Sequence, residues 1–212
     1  MEATMNTQTS VVPERLRSDA RAMSQEAVEM LRLAWESFAK QTPQFLGEAE
    51  KLGRELHRRE QAIIESALGA RAAARPDEEH LFVPMHLERI GDNIELLVGA
   101  IRKMLREGIP FTDRAIGEMS SLFEKTLELL EGVRDLITIN NRTLVRSVIE
   151  EGERFEVVAN DYGLFHQQRL IEGVCLPKSS SVYLAMLDYL KAIEWHTRQV
   201  ARKFQAARGT VH

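Results

Sequence analysis

Apolar residues recur along this chain in alternating steps of three and four. The first run is Leu16, Ala20, Met23, Ala27, Met30 or Leu31, Ala34 and Phe38. That spacing predicts a helix with one buried seam. Thr42 followed by Pro43 marks the next helix start, because Pro in the first turn loses no needed hydrogen bond. Its seam is Phe45, Ala49, Leu52, Leu56, Ile63, Ala67 and Ala70, interrupted once by Arg59. The stretch ARPDEE around Pro76 ends it.

The third seam is Leu87, Ile90, Ile94, Leu97, Ile101 and Leu105. Gly108 suits its C-terminal cap, and Pro110 cannot continue it. Thr112 can cap a fourth helix, with Phe111 and Ile116 placed as a hydrophobic staple. The fourth seam is Ile116, Met119, Phe123, Leu127, Leu130, Val133 and Ile137. After the polar break TINNRT comes Leu144, Val148, Phe155, Val158, Tyr162 and Phe165. After EGVCLPKSSS, whose serines can cap a helix, come Tyr183, Met186, Leu190, Ile193, Thr197, Val200 and Phe204. No segment alternates with period two. The pattern predicts an all-α fold of six helices, with residues 1–13 and 207–212 as frayed ends.

Composition agrees. Only 6 Pro and 12 Gly in 212 residues favour long helices. With 28 Lys and Arg against 32 Asp and Glu, the net charge is -4, which argues against a nucleic-acid partner. A single cysteine, Cys175, excludes an internal disulfide framework and a Cys-based zinc site. No apolar run approaches the roughly 20 residues that span a bilayer. The first residues lack the apolar core of a signal peptide. The expectation is a cytoplasmic protein that meets membranes only through a partner.

The six helices divide near Gly108 into two sets of three, 14–108 and 111–207. KLGRELH in the second helix and EEGERFE in the fifth share a Gly, then a large apolar residue, then a polar one. These are Gly53, Leu56, His57 and Gly152, Phe155, Glu156, at an offset of 99. Leu87 and Ile90 match Leu190 and Ile193 at an offset of 103. Two three-helix repeats packed as one unit is the economical reading.

The segment HLERIGDNIELL carries the most chemistry. Glu88 and Asp92 are four residues apart and stand one above the other, with Glu95 continuing the strip. Like charges at this spacing repel, and Arg89, a helix from the same chain or a bound cation can offset that. Gly91 costs about 1 kcal/mol relative to Ala in a helix interior, and such a Gly often permits close approach of another backbone or ligand. Carboxylates at i and i+4 suit Mg, Mn, Ca or ferric iron. The bland alternative is a solvated acidic face.

LERIGDNIELL resembles the signature of the PhoU family, whose third helix carries a Glu-Arg-Ile-Gly-Asp core. The resemblance extends to two tandem three-helix bundles over residues 14–207. It implies a regulator that couples a phosphate transporter to a sensor kinase and restrains the phosphate-starvation response. Some members hold iron or zinc clusters on paired acidic motifs. Carried across, the intact pair is Glu88 and Asp92. The second-helix pair falls on Gly53 and His57, the fifth-helix pair on Gly152 and Glu156, and the sixth-helix pair on Lys191 and Trp195. The implied metal ligands are therefore Glu88, Asp92, His57 and Glu156, for iron or zinc, and the chain reads as a divergent member. The implied partners are a transporter component or sensor kinase, with a homodimer as the default assembly. The competing function is a helical scaffold or metal-binding protein that has lost phosphate signalling.

An enzyme is the weaker reading. A ferritin-like di-iron site needs two inward Glu-x-x-His motifs, and only Asp77 and His80 approach that spacing. No phosphate loop accompanies Glu88 and Asp92. Cys175 reads as a small apolar residue at a helix connection, and Trp195 as a packing residue at an interface. His166 and His196 read as half-exposed bundle residues. Arg54, Arg58 and Arg59 read as a solvated face offset by Glu55 and Glu60.

Overall fold

The computed structural model describes residues 14–69, 78–139 and 141–206. Among them lie α1 (Glu14–Ala39), α2 (Leu46–Gly69), α3 (Glu78–Arg106), α4 (Asp113–Ile139), α5 (Arg142–Ile171) and α6 (Pro177–Ala206), with no strand. The fold is all-α. Helices α1, α2 and α3 pack on one another, as do α4, α5 and α6. The two triplets join along α3 with α6 and α1 with α4, and share one core. Phe38 of α1 stacks on Phe123 of α4 at 5.6 Å between ring centroids. No described helix is long and apolar enough to cross a membrane. Pro76, Asp77, the His80 side chain and the two chain ends lie outside the described residues.

The caps expected at Gly108 and Thr112 form, and Asn141, which the sequence pattern did not single out, adds another. Gly108 takes φ +58, and Ile109 N–H returns to the Met104 carbonyl at 3.0 Å. Thr112 Oγ1 accepts from Ala115 N–H at 3.2 Å, capping α4. Asn141 caps α5 through Thr143 N–H.

Three expectations are corrected. Helix α2 begins at Leu46, because Pro43 to Phe45 form a preceding turn closed by Leu46 N–H on the Pro43 carbonyl. Helix α6 begins at Pro177, so the serines lie within its first turns and do not cap it. On α5, Val158 and Phe165 face outward. The buried stripe is Val148, Gly152, Phe155, Ala159, His166 and Arg169. It includes a glycine and two polar residues, which a search for apolar side chains passes over.

Candidate functional site

Two glycines let α2 and α3 close on each other. A Cβ on Gly91 would stand 3.1 Å from Leu56 Cδ2, tighter than an ordinary contact. Gly53 backs onto the Glu95 carboxylate so closely that a Cβ there would overlap it. A cleft of about 470 Å³ opens beside this crossing, lined among others by Arg54, His57, Arg58, Glu88, Asp92 and Glu95.

Glu88 is half-buried in that cleft, with Nδ1 of His57 3.7 Å from its carboxylate. The opposite ring nitrogen of His57 lies 3.0 Å from Nε2 of Gln61. Arg89 lies across both motif acids, 3.2 Å from Asp92 and 3.8 Å from Glu88. Burial pushes the Glu88 carboxyl above the usual range, helped by the Asp92 charge and opposed by Arg89 and His57. Burial and Asp92 push Glu95 in the same direction.

The cleft thus brings together His57, Glu88 and Asp92. It does not include Glu156, which sits on α5 and pairs with Arg198 of α6 at 2.6 Å. Among the described residues, no three His, Cys, Asp or Glu side chains converge to hold a metal ion. The Arg89 guanidinium occupies the place a cation would take between the two motif carboxylates, and it donates only. As arranged here, these residues do not fit the iron or zinc centre that the resemblance implies.

The glycine–glutamate contact recurs in the second triplet. Gly152 of α5 backs onto Glu194 of α6 as Gly53 backs onto Glu95. Glu194 is buried, and Arg198 Nε lies 2.9 Å from its Oε1. Burial pushes the Glu194 carboxyl up to about 7 against the pull of Arg198. Glu194 lies between Lys191 and Trp195, the positions onto which the acidic pair falls, and so stands outside the motif. The usable signal was the equal 42-residue interval from each glycine to its glutamate.

Where α3 meets α6, His86 and His196 form an aromatic group with Phe82 and Trp195. Trp195 remains 46% exposed.

A second polar centre also escaped the sequence. Glu118 of α4 is buried and accepts from Arg169 at 2.7 and 3.0 Å, from Tyr183 Oη at 2.7 Å and from Arg114 Nε at 3.0 Å. Burial alone would raise its carboxyl, but Arg169, Tyr183 and Arg114 outweigh that and hold it below the usual range. His166 stacks on Tyr183 with ring centroids 4.0 Å apart. His166 is 2% exposed, so the half-exposed reading is corrected. Cys175 is buried at the α5–α6 connection, as expected of a small apolar residue there.

Comparison with known proteins places this geometry. Residues 20–98 match the family model of the PhoU domain. PhoU from Pseudomonas aeruginosa superposes with a TM-score of 0.83 at 17% identity, covering 93% of this chain and 97% of that one. The phosphate transport system regulatory protein PhoU from Streptococcus pneumoniae superposes with a TM-score of 0.76 at 13% identity, covering 93% and 96%. No curated protein matches the sequence. The family match runs from α1 into α3; over α4 to α6 the likeness is one of fold alone.

Proposed function

We propose that this chain, a PhoU-domain protein by its first triplet and a PhoU fold throughout, regulates phosphate uptake by contact with other proteins. The observation that carries this is the PhoU-domain match over the triplet that holds the Glu88–Asp92 motif. The site acts by binding and not by turnover. Its motif carboxylates are engaged by Arg89 and His57, and among the described residues no Ser, Thr or Cys lines the cleft.

A second observation supports protein contact. Val157, Leu164 and Ile171 repeat every seven residues along α5 and are 61%, 63% and 87% exposed. At the same positions in the first triplet, 99 residues earlier, Arg58 and Glu65 make the α2 face polar. Among the described residues at these positions the apolar stripe belongs to the second triplet, which suits a specific docking face. The partner in this reading is a cytoplasmic component of a phosphate transporter or a sensor kinase, met by the chain as a homodimer.

The test is complementation in the source organism. Removing the gene should release phosphate uptake and starvation genes from repression in phosphate-rich medium. Wild type should restore control, and Leu164→Glu/Ile171→Glu should not, although it stays folded. Intact phosphate control without the gene would overturn the reading. So would robust hydrolysis of phosphoesters that Glu88→Ala abolishes.

A further inference from the structure

A cleft of about 230 Å³ lies where the end of α5 meets the starts of α4 and α6. Its walls are mostly apolar, with Phe111, Val174, Leu176 and Tyr183 among them, and it also carries His166 and Ser179. Those two polar residues are 2% and 7% exposed, and both His166 Nε2 and Ser179 Oγ are buried with no hydrogen-bond partner. Buried polar atoms are rarely left so, because each costs about 1–3 kcal/mol.

The geometry fixes what these atoms offer. Nδ1 of His166 lies 3.4 Å from an Arg169 guanidinium nitrogen, which can only donate. Nδ1 must therefore accept, and the proton of the neutral ring sits on Nε2. That leaves His166 Nε2–H as a donor without an acceptor. Ser179 adds a hydroxyl. Helix α6 supplies more, because Leu176 precedes it and has no capping oxygen, while Pro177 has no N–H. The N–H groups of Lys178 and Ser179 thus stand in the first turn at the positive end of the helix dipole. Behind the cleft, two guanidiniums, Arg114 and Arg169, face one carboxylate, Glu118. With His166 Nε2 able only to donate, and two guanidiniums against one carboxylate behind it, the cleft favours an acceptor carrying negative charge.

We propose that this cleft binds a small oxyanion, with His166 Nε2–H, Ser179 Oγ and the first turn of α6 as its donors. The proposal does not rest on the regulatory reading above.

The test uses the full chain, ¹⁵N-labelled, titrated separately with inorganic phosphate and with propionate at pH 7.5. Saturable movement of the His166 ring resonance by either anion in wild type is the expected result, with the affinity, read from the backbone amides of residues 178–180, weakened at least tenfold in both His166→Phe and Ser179→Ala. His166→Phe keeps a ring to stack on Tyr183, and thermal melts confirm that both variants fold. The anion that saturates at lower concentration tells whether the natural ligand is a phosphate or a carboxylate. No saturable movement below about 10 mM of either anion would overturn the site. So would binding that both variants retain, because the donors would then be elsewhere.

Discussion

Nδ1 of His86 on α3 lies 2.7 Å from Nδ1 of His196 on α6. At that distance one ring donates and the other accepts, so the two rings cannot both be charged. Burial lowers the His86 ring's affinity for protons, and burial, then His86, then Arg89 lower His196 to about 4, with Asp92 opposing. A histidine depressed in the folded state gives stability that is present above its ordinary value near 6.5 and lost as pH falls toward 4. The seam between the two triplets should therefore loosen in acid. Allowing for partial exposure, wild type should lose about 2 kcal/mol more than His196→Gln between pH 7 and 4.5. Urea unfolding at a series of pH values measures this. Parallel curves for the two proteins would show that the pair carries no acid sensitivity.

Helix glycines separate by their surroundings. Gly99 is exposed in α3 with nothing within 4 Å of a built Cβ, so Gly99→Ala should stabilise by about 0.5–1 kcal/mol through helix propensity. Gly91 meets Leu56 at 3.1 Å, so Gly91→Ile should destabilise by about 2–3 kcal/mol by forcing α2 from α3. Thermal denaturation of the two variants, side by side, tests the crossing. A neutral Gly91→Ile would mean that α2 can move away at little cost.

The helices were legible because their seams are apolar and regular. Met23, Ala27, Phe38, Leu87, Ile94 and Ile101 are all buried where the spacing puts them. The buried stripe of α5 was not, because it runs through Gly152, His166 and Arg169, and periodicity counts only greasy side chains. The third-helix motif was legible as residues, but not as a site. Nothing local says that Arg89 lies across its own motif's acids, or that Glu156 pairs with Arg198 on the neighbouring helix. The Glu118 centre joins residues 51 and 65 positions apart, a relationship only the packed bundle creates.

That centre predicts its own energetics. Glu118→Ala would leave the buried Arg169 cation without its carboxylate, at a cost of about 3–5 kcal/mol. Changing both ends, in Glu118→Leu/Arg169→Met, removes the stranded charge and should recover most of that loss. Chemical denaturation of Glu118→Leu, Arg169→Met and the double variant gives the coupling directly. A double variant as unstable as Glu118→Ala would show that the Tyr183 bond, which both variants lose, carries the stability.

Arg89 decides whether the third-helix acids can serve a cation. Its guanidinium lies 3.2 Å from Asp92 and 3.8 Å from Glu88, and it adds a positive charge where a divalent ion would need none. Glu88, pushed up by burial, also gives up its proton less readily than an ordinary carboxylate. Both effects oppose metal binding, and the first is removable. Arg89→Gln frees the carboxylates without altering the His57 contact 3.7 Å from Glu88. It should tighten zinc binding at least tenfold, which is about 1.4 kcal/mol. Competition titration with a zinc indicator at pH 7.5 reads that change. Adding Asp92→Ala to the variant should return it to the wild-type level, because zinc prefers three or four donors and His57 with Glu88 supplies two. Equal zinc affinity in wild type and Arg89→Gln would mean that the donors are too far apart for any ion, whatever the charge beside them.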